Sequence, residues 1–268
     1  MAIVVSCVNL KGGVGKTTLA VNMAAYFGAL GKKTLLIDLD PQTNATFSCI
    51  GVDAWEAHAK KHGTVADLLG ARQHANANAK QKNAKQVVVK NVFNNVDLIP
   101  SHLDLFTIDL DMAGATARET RLRKALQLVE NKYDLIICDC PPNLTIPTQN
   151  ALAASSFYVV PISADFLSAL GVGILLRRVK QLGDDLDQQL KLAGIVISRV
   201  GRPAYHRDDI VNQLRKTFPA EVLKVMLSER VRVAEAAAKQ KSVFDMGDAA
   251  AIAEFSAVYA DIAKRIGI

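Results

Sequence analysis

The stretch Lys11-Gly12-Gly13-Val14-Gly15-Lys16-Thr17-Thr18 constrains this chain more than any other part of it. It follows a short apolar run, Ala2–Val8, and opens a stretch, Thr17–Leu30, that reads as a helix ending near Gly31. A glycine-rich loop at a strand-to-helix junction can curl so that successive backbone N–H groups point into one concavity. The helix N-terminus adds the positive end of its dipole. Such a loop cradles phosphate: Lys16 offers a point charge to the β- and γ-phosphates, and the Thr17 hydroxyl is placed to ligate Mg²⁺. The common pattern GxxxxGK[ST] is not met in full. Leu10 stands at its first glycine position, and an additional lysine, Lys11, precedes Gly12-Gly13.

Short apolar runs then alternate with longer amphipathic stretches. Strands are expected at Thr34–Leu39, Val96–Pro100, Leu135–Asp139, Phe157–Ile162 and Leu192–Ile197, with a further candidate at Val222–Met226. Helices are expected over Arg118–Glu130, from about Leu170 to Leu182, and from about Asp248 to Ile266. Continuously apolar strands separated by helices imply a sheet buried on both faces. The fold class is therefore α/β: a doubly wound, mostly parallel sheet with helices on both faces. One segment departs from this rhythm. Ala71–Gln86 is rich in Asn, Gln, Ala and Lys and has no apolar period. It reads as an exposed loop, an insertion or a loosely packed helix within one domain spanning residues 1–268.

Two strand ends carry carboxylates. The second strand runs into Asp38-Leu39-Asp40-Pro41-Gln42 and the fourth into Asp139-Cys140-Pro141-Pro142. In a doubly wound fold the carboxyl ends of the strands line the ligand crevice. Asp139 then faces the phosphate loop and suits Mg²⁺ held through water. Asp38 and Asp40, two residues apart, suit the metal and its waters, although Asp-Pro also favours turns. Phosphoryl transfer relies on positioning and electrostatics, so no strong general base is required and slow hydrolysis is expected.

KGGVGKTT resembles the deviant Walker A box of the ParA/MinD superfamily; DLDPQ and YDLIICDCPP resemble its two carboxylate boxes. The resemblance extends over most of the chain, through Asp97–Ser101, Pro161–Gly171 and Gly194–Val200. It implies an ATPase with ATP and Mg²⁺ as cofactors. The nucleotide would lie on Lys11, Gly12, Gly13, Val14, Gly15, Lys16, Thr17 and Thr18, and the metal by Thr17, Asp38 and Asp139. The resemblance also implies a homodimer in the ATP state, in which Lys11 reaches into the partner's nucleotide and Asp40 stands near the attacking water. Lys11, Lys16 and Asp40 are thus the catalytic candidates.

Three branches of the superfamily are open. A ParA-like partitioning or positioning ATPase binds nonspecific DNA as an ATP dimer and is stimulated by a ParB-like or cargo adaptor protein. Leu227–Ala236 (LSERVRVAEA) is similar to the ParA segment that reads roughly I-P-R-N-V-R-L-S-E-A, with Ser228-Glu229 in place of Pro-Arg. Arg232 and Arg202 are the DNA-binding candidates it implies. Arg199, Arg207, Arg215, Lys216, Arg230, Lys239 and Lys241 are further cations that could meet phosphates. A MinD-like branch would use a C-terminal membrane-targeting helix, but Ala249–Ile268 is Ala-rich, with Lys264 and Arg265 as its cations, and suits core packing better. The third branch is metabolic or redox: an amide ligase or an iron–sulfur reductase. The reductase needs cluster-ligating cysteines, whereas Cys7, Cys49, Cys138 and Cys140 read as reduced, mostly buried thiols.

The net charge of +6 is compatible with an anionic partner but does not require one. No apolar run is long enough for a membrane span, so a cytoplasmic, nucleoid-associated protein without a membrane partner is expected.

Overall fold

The computed structural model describes residues 2–71, 82–201 and 205–268. Among them, seven strands form one sheet in the order β3-β4-β2-β5-β1-β6-β7. These are β1 (Ile3–Cys7), β2 (Thr34–Asp38), β3 (Val89–Phe93), β4 (Val96–Ile99), β5 (Leu135–Asp139), β6 (Phe157–Ser163) and β7 (Lys191–Ser198). All neighbours are parallel except β3, which pairs antiparallel with β4 at the edge.

The helices in chain order are α1 (Lys16–Ala29), α2 (Asn44–His62), α3 (Val65–Leu69), α4 (Ala84–Val87), α5 (Ile108–Asp111) and α6 (Arg121–Leu126). They continue with α7 (Ile146–Ala154), α8 (Phe166–Asp185), α9 (Tyr205–Thr217), α10 (Val231–Ala238) and α11 (Ala249–Ile266).

The period-2 geometry of a strand sends alternate side chains to opposite faces, and here both faces are apolar. Val4, Leu35, Ile37, Ile136 and Ile197 join one buried cluster, with α3 and α5 to α9 packed over it. Val5, Leu36, Leu98, Ile137 and Val196 join the other, under α1, α2, α10 and α11. Each buried Leu or Ile contributes about 1.5–3 kcal/mol, so sheet and helices stabilise each other across two cores. The Tyr259 hydroxyl, fully buried in α11, donates to the Leu19 carbonyl of α1 at 2.9 Å. The apolar face of α11, including Phe255, Val258 and Ile262, is buried in that second core. The core-packing expectation for the C-terminal helix therefore holds. Among the described residues no helix is long and apolar enough to cross a membrane.

Three expectations need correction. Val222–Met226 does not form a strand; it meets β7 through an isolated bridge between Val222 and Ile195. The seventh strand is instead Val89–Phe93, whose mixed, partly exposed residues hide the buried-strand pattern. Arg118–Glu130 is not one helix. It breaks into 3-10 turns at Arg118–Thr120 and Glu130–Lys132 around the short α6. Most of the Ala71–Gln86 segment lies outside the described residues, although Ala84–Val87 forms α4, capped by the Asn83 side chain.

Candidate active site

The loop between β1 and α1 is shaped by two glycines in the left-handed region, Gly13 at φ 73° and Gly15 at φ 85°. A side chain at either would be strained. Gly12 carries no such demand.

Polar contacts then pin the loop. Lys11 N–H donates to Asn9 Oδ1 at 2.9 Å, and Asn9 Nδ2 donates to the Pro161 carbonyl at 2.7 Å. The Ser198 hydroxyl, at the end of β7, lies 2.5 Å from the Val14 carbonyl. Arg199 donates through Nη1 to the Gly13 carbonyl at 2.7 Å and pairs through Nη2 with Glu229 at 2.7 Å. Lys16 Nζ donates to the Lys11 carbonyl at 3.0 Å. These contacts consume loop carbonyls. What the loop has to offer a ligand is its N–H groups and two lysines, which is the donor set an anion takes.

Parallel pairing of β2 with β5 sets Asp38 opposite Asp139 in register. Both are fully buried, and their surroundings differ sharply. Asp38 accepts from Asp40 N–H at 3.1 Å, Thr46 N–H at 2.8 Å and the Thr46 hydroxyl at 2.7 Å. Burial still raises its carboxyl to about 7. Neither Asp139 oxygen has a hydrogen-bond partner. Burial and the Asp38 charge push the Asp139 carboxyl well up, while Thr17 and Lys16 pull it back. The Thr17 hydroxyl is thus a close neighbour that closes no hydrogen bond of ordinary geometry.

Asp40 is also raised by burial, with the Gln42 N–H and Lys16 opposing. Lys16 is lowered by burial, against the pull of Asp139 and Asp40. A buried, unpartnered carboxylate costs several kcal/mol unless it meets a cation. Among the described residues no three His, Cys, Asp or Glu groups converge as a metal cage. The arrangement therefore suits a hard cation that keeps most of its waters and takes oxygens from Thr17 and from phosphate, as Mg²⁺ does.

A cavity of about 780 Å³ opens beside Lys16, Thr17 and Asp40, within the range of small-molecule sites. Gly12, Lys16, Thr17 and Asp40 line it at the loop, and Phe47, Val52, Leu227, Val233 and Phe255 supply apolar wall. Lys11 contributes its backbone carbonyl to this arrangement, while its ammonium is exposed and pairs with Asp165 at 2.7 Å.

The structure brings the loop, Asp38, Asp40 and Asp139 together. Arg232 sits elsewhere, exposed on α10 and 3.4 Å from Glu235. Arg202 lies outside the described residues. Of the further cations, Arg230 is held by Glu254 at 2.8 Å, and Arg199 and Lys241 line the cavity. Sequence reasoning did not single out Asn9, Thr46, Phe47 or Ser198. The position of Ser198 at the end of a parallel strand was the available signal. Thr46 had none, because its role depends on where α2 begins.

The fold and the site define a P-loop nucleotide-binding protein with one orphaned carboxylate beside its phosphate loop. A family model described as an AAA domain matches residues 2–192. The chain is 31% identical over 266 residues to the sporulation initiation inhibitor protein Soj of Bacillus subtilis, covering 99% of this chain and 98% of that one. It is 34% identical over 229 residues to the chromosome-partitioning ATPase Soj of Treponema pallidum, covering 85% and 84%.

Apo McdA of Cyanthece superposes with a TM-score of 0.82 over 98% of this chain and 100% of that one, at 19% identity, a likeness of fold alone. Cobyrinic acid a,c-diamide synthase of Mycobacterium smegmatis, solved with an ATP analogue and magnesium, gives 0.75 at 26% identity over 89% and 92%. The chain belongs to the Soj/ParA-like family of chromosome- and plasmid-partitioning P-loop ATPases.

Proposed function

We propose that this protein binds Mg·ATP, closes into a nucleotide-sandwich homodimer, holds DNA without sequence preference in that state, and releases it when an adaptor speeds hydrolysis. The observation that carries the reading is the orphaned Asp139 carboxylate beside Thr17 and Lys16, which line a cavity of nucleotide size. The diamide synthase, solved with an ATP analogue and magnesium, supports the same pair here.

The N–H groups of residues 12 to 18 cradle the phosphates, and Lys16 exchanges the Lys11 carbonyl for β- and γ-phosphate oxygens. Thr17 and Asp139 would hold Mg²⁺. Bound there, the metal neutralises charge on the β- and γ-phosphates. Asp38, with three donors already on its oxygens, adds charge to the metal's surroundings and fixes Asp40 and Thr46. Asp40 orients the attacking water.

Lys11 leaves Asp165 and crosses into the other subunit's site, where a cation acts as an arginine finger does. Dimerisation doubles the cationic surface around Arg232 and, we expect, Arg202. Affinity for DNA rises steeply with the number of phosphates neutralised. ATP and DNA then favour the same dimer, so each strengthens binding of the other. A ParB-like or cargo adaptor, acting at the nucleoid, reverses both. The diamide synthase likeness keeps an amide ligase in view, but the two Soj relatives are more identical, and the first matches nearly the whole chain.

The decisive test is a mobility-shift assay on nonspecific duplex DNA, with Mg·ATP in one series and Mg·ADP in the other. A shift with ATP alone is expected, and no shift with either nucleotide would reject the DNA reading. Sedimentation of Lys11→Ala separates the next step. ATP binding should persist while the ATP dimer disappears, and an unchanged dimer would remove Lys11 from the interface.

A further inference from the structure

The direction of a loop N–H is set by the carbonyl before it. In a trans peptide the carbonyl of one residue and the N–H of the next lie in one plane and point opposite ways. A carbonyl tied to protein on one side of the phosphate loop therefore turns the following N–H to the other side. Two consecutive residues at the end of β7 tie two consecutive loop carbonyls. The Ser198 hydroxyl holds the Val14 carbonyl, which sets the Gly15 N–H. Arg199 Nη1 holds the Gly13 carbonyl at 2.7 Å, which sets the Val14 N–H. The guanidinium lies against a bare glycine: a Cβ on Gly13 would stand 3.5 Å from Nη1.

Ser198 is buried and placed by strand register, whereas Arg199 is exposed and placed by other means. Its backbone is in the left-handed region, at φ 53°, which costs a residue with a side chain about 1–2 kcal/mol. Pairing beyond the strand enforces that turn. Val200 N–H donates to the Leu227 carbonyl at 3.0 Å, and Glu229 N–H donates to the Val200 carbonyl at 2.9 Å. This lays residues 227–229 alongside and brings Glu229 to the guanidinium, where Nη2 and Oε1 are 2.7 Å apart. Both neighbours of Glu229 are fixed to α11, since the Ser228 N–H, the Ser228 hydroxyl and Arg230 all donate to Glu254. Arg207 approaches Glu229 from its other side. Arg207 Nη1 and Glu229 Oε2 are each 3.6 Å from the place a Cβ on Gly201 would take.

The Arg199 and Glu229 side chains are each 54% exposed, and an exposed pair adds about 0–1 kcal/mol to stability. Stability alone does not account for a strained arginine at this place. The planar fork of a guanidinium serves two acceptors at fixed angles, which an ammonium does not. One arm here meets the loop and the other meets the carboxylate that aims it.

We propose that Arg199 is a positioning residue of the phosphate loop: oriented by Glu229, it fixes the Gly13 peptide so that the Val14 N–H faces the bound phosphates. This rests on the proposed nucleotide reading of the site. Glu229 stands where the similar ParA segment has arginine, so the pairing is not carried over from that resemblance.

The test uses the full chain labelled with ¹⁵N, with Mg·ADP as the probe. In the ligand-free protein, Arg199→Ala should move or broaden the Val14 amide resonance and leave that of Gly15, which Ser198 sets, in place. On titration with Mg·ADP the variant should bind about tenfold more weakly, the loss expected for one charge-assisted hydrogen bond. The ADP-induced shift should shrink at Val14 and persist at Gly15. Arg199→Ala combined with Glu229→Gln, which removes the carboxylate that Arg199 leaves behind, should recover only part of the affinity. Full recovery would overturn the proposal, because Arg199 would then be a counter-charge to Glu229 and nothing more. Equal changes at Val14 and Gly15 would overturn it too, since a general loosening of the loop gives that result. Failure of the unaltered protein to bind Mg·ADP would instead reject the nucleotide reading, and the ligand-free resonances would still decide the role of Arg199.

Discussion

The edge of the sheet that carries the phosphate loop and the late segment from residue 200 to residue 241 meet at one cavity, yet they are built differently. At the loop edge the charged groups are buried and set by strand register: Asp38 and Asp139 are wholly enclosed and Lys16 nearly so. In the late segment several of the described charges are exposed and pair with other side chains: Arg232 and Lys239 share Glu235, and Glu229 pairs with Arg199. A buried charge stripped of its partner costs several kcal/mol, whereas an exposed pair is worth about 0–1 kcal/mol. The first region should therefore respond to substitution by losing function, and the second by adjusting it.

Lys16→Ala should have the largest effect. It removes charge-assisted hydrogen bonds to phosphate worth about 1.5–3 kcal/mol each, so ATP affinity should fall by about a hundredfold or more. Calorimetric titration reads this directly. Tight ATP binding in the variant would break the comparison, because the buried edge would then tolerate what an exposed surface tolerates.

Arg232→Glu should do less. It should weaken DNA binding by about tenfold and lower the slope of log affinity against log salt by about one for each phosphate that is no longer neutralised, with ATP affinity unchanged. Unchanged DNA binding would move the cationic surface away from α10. A drop in ATP affinity would show that the two regions are not separable.

The same division explains what was legible in the sequence. The placement of the loop, Asp40 and Asp139 could be read because it follows from local spacing and from standing at or just beyond the ends of apolar strands. The sheet could be read for the same reason, except at β3, where an edge strand with a mixed surface lacks the continuous apolar run. Long-range consequences could not be read. Nothing near Thr46 announces that its hydroxyl will saturate Asp38, and so nothing announces that Asp38 and Asp139, equivalent in register, will differ in partners. Among the cations after β7, sequence could not separate Arg230, which Glu254 and Asp248 hold in place, from the exposed Arg232. Arg230 finds Glu254 by tertiary proximity, which spacing along the chain does not encode, whereas Arg232 and Lys239 meet Glu235 as helix neighbours three and four residues apart.

That difference between two aligned carboxylates yields the smallest and most specific expectation. Burial raises the Asp38 carboxyl from an ordinary 3.8 to about 7. A group with a raised folded-state pKa makes the folded protein bind more protons than the unfolded chain between those values, so stability falls as pH rises through that window. His58 acts in the opposite sense, since burial lowers its imidazole and folding favours the neutral form. A single melting curve against pH therefore mixes these with the contributions of Asp40 and Asp139, whose carboxyls burial also raises. Asp38→Asn isolates the Asp38 contribution, because the amide keeps an acceptor oxygen and cannot ionise. Relative to the unaltered protein, the variant should gain melting temperature steadily from about pH 5 to pH 7.5, by a few degrees for ~1–3 kcal/mol. Mg·ATP should shrink that gain, since a cation beside Asp139 stabilises the ionised form of its neighbour. A pH-independent difference would mean that Asp38 is ionised throughout and that the Thr46 and Asp40 donors outweigh its burial.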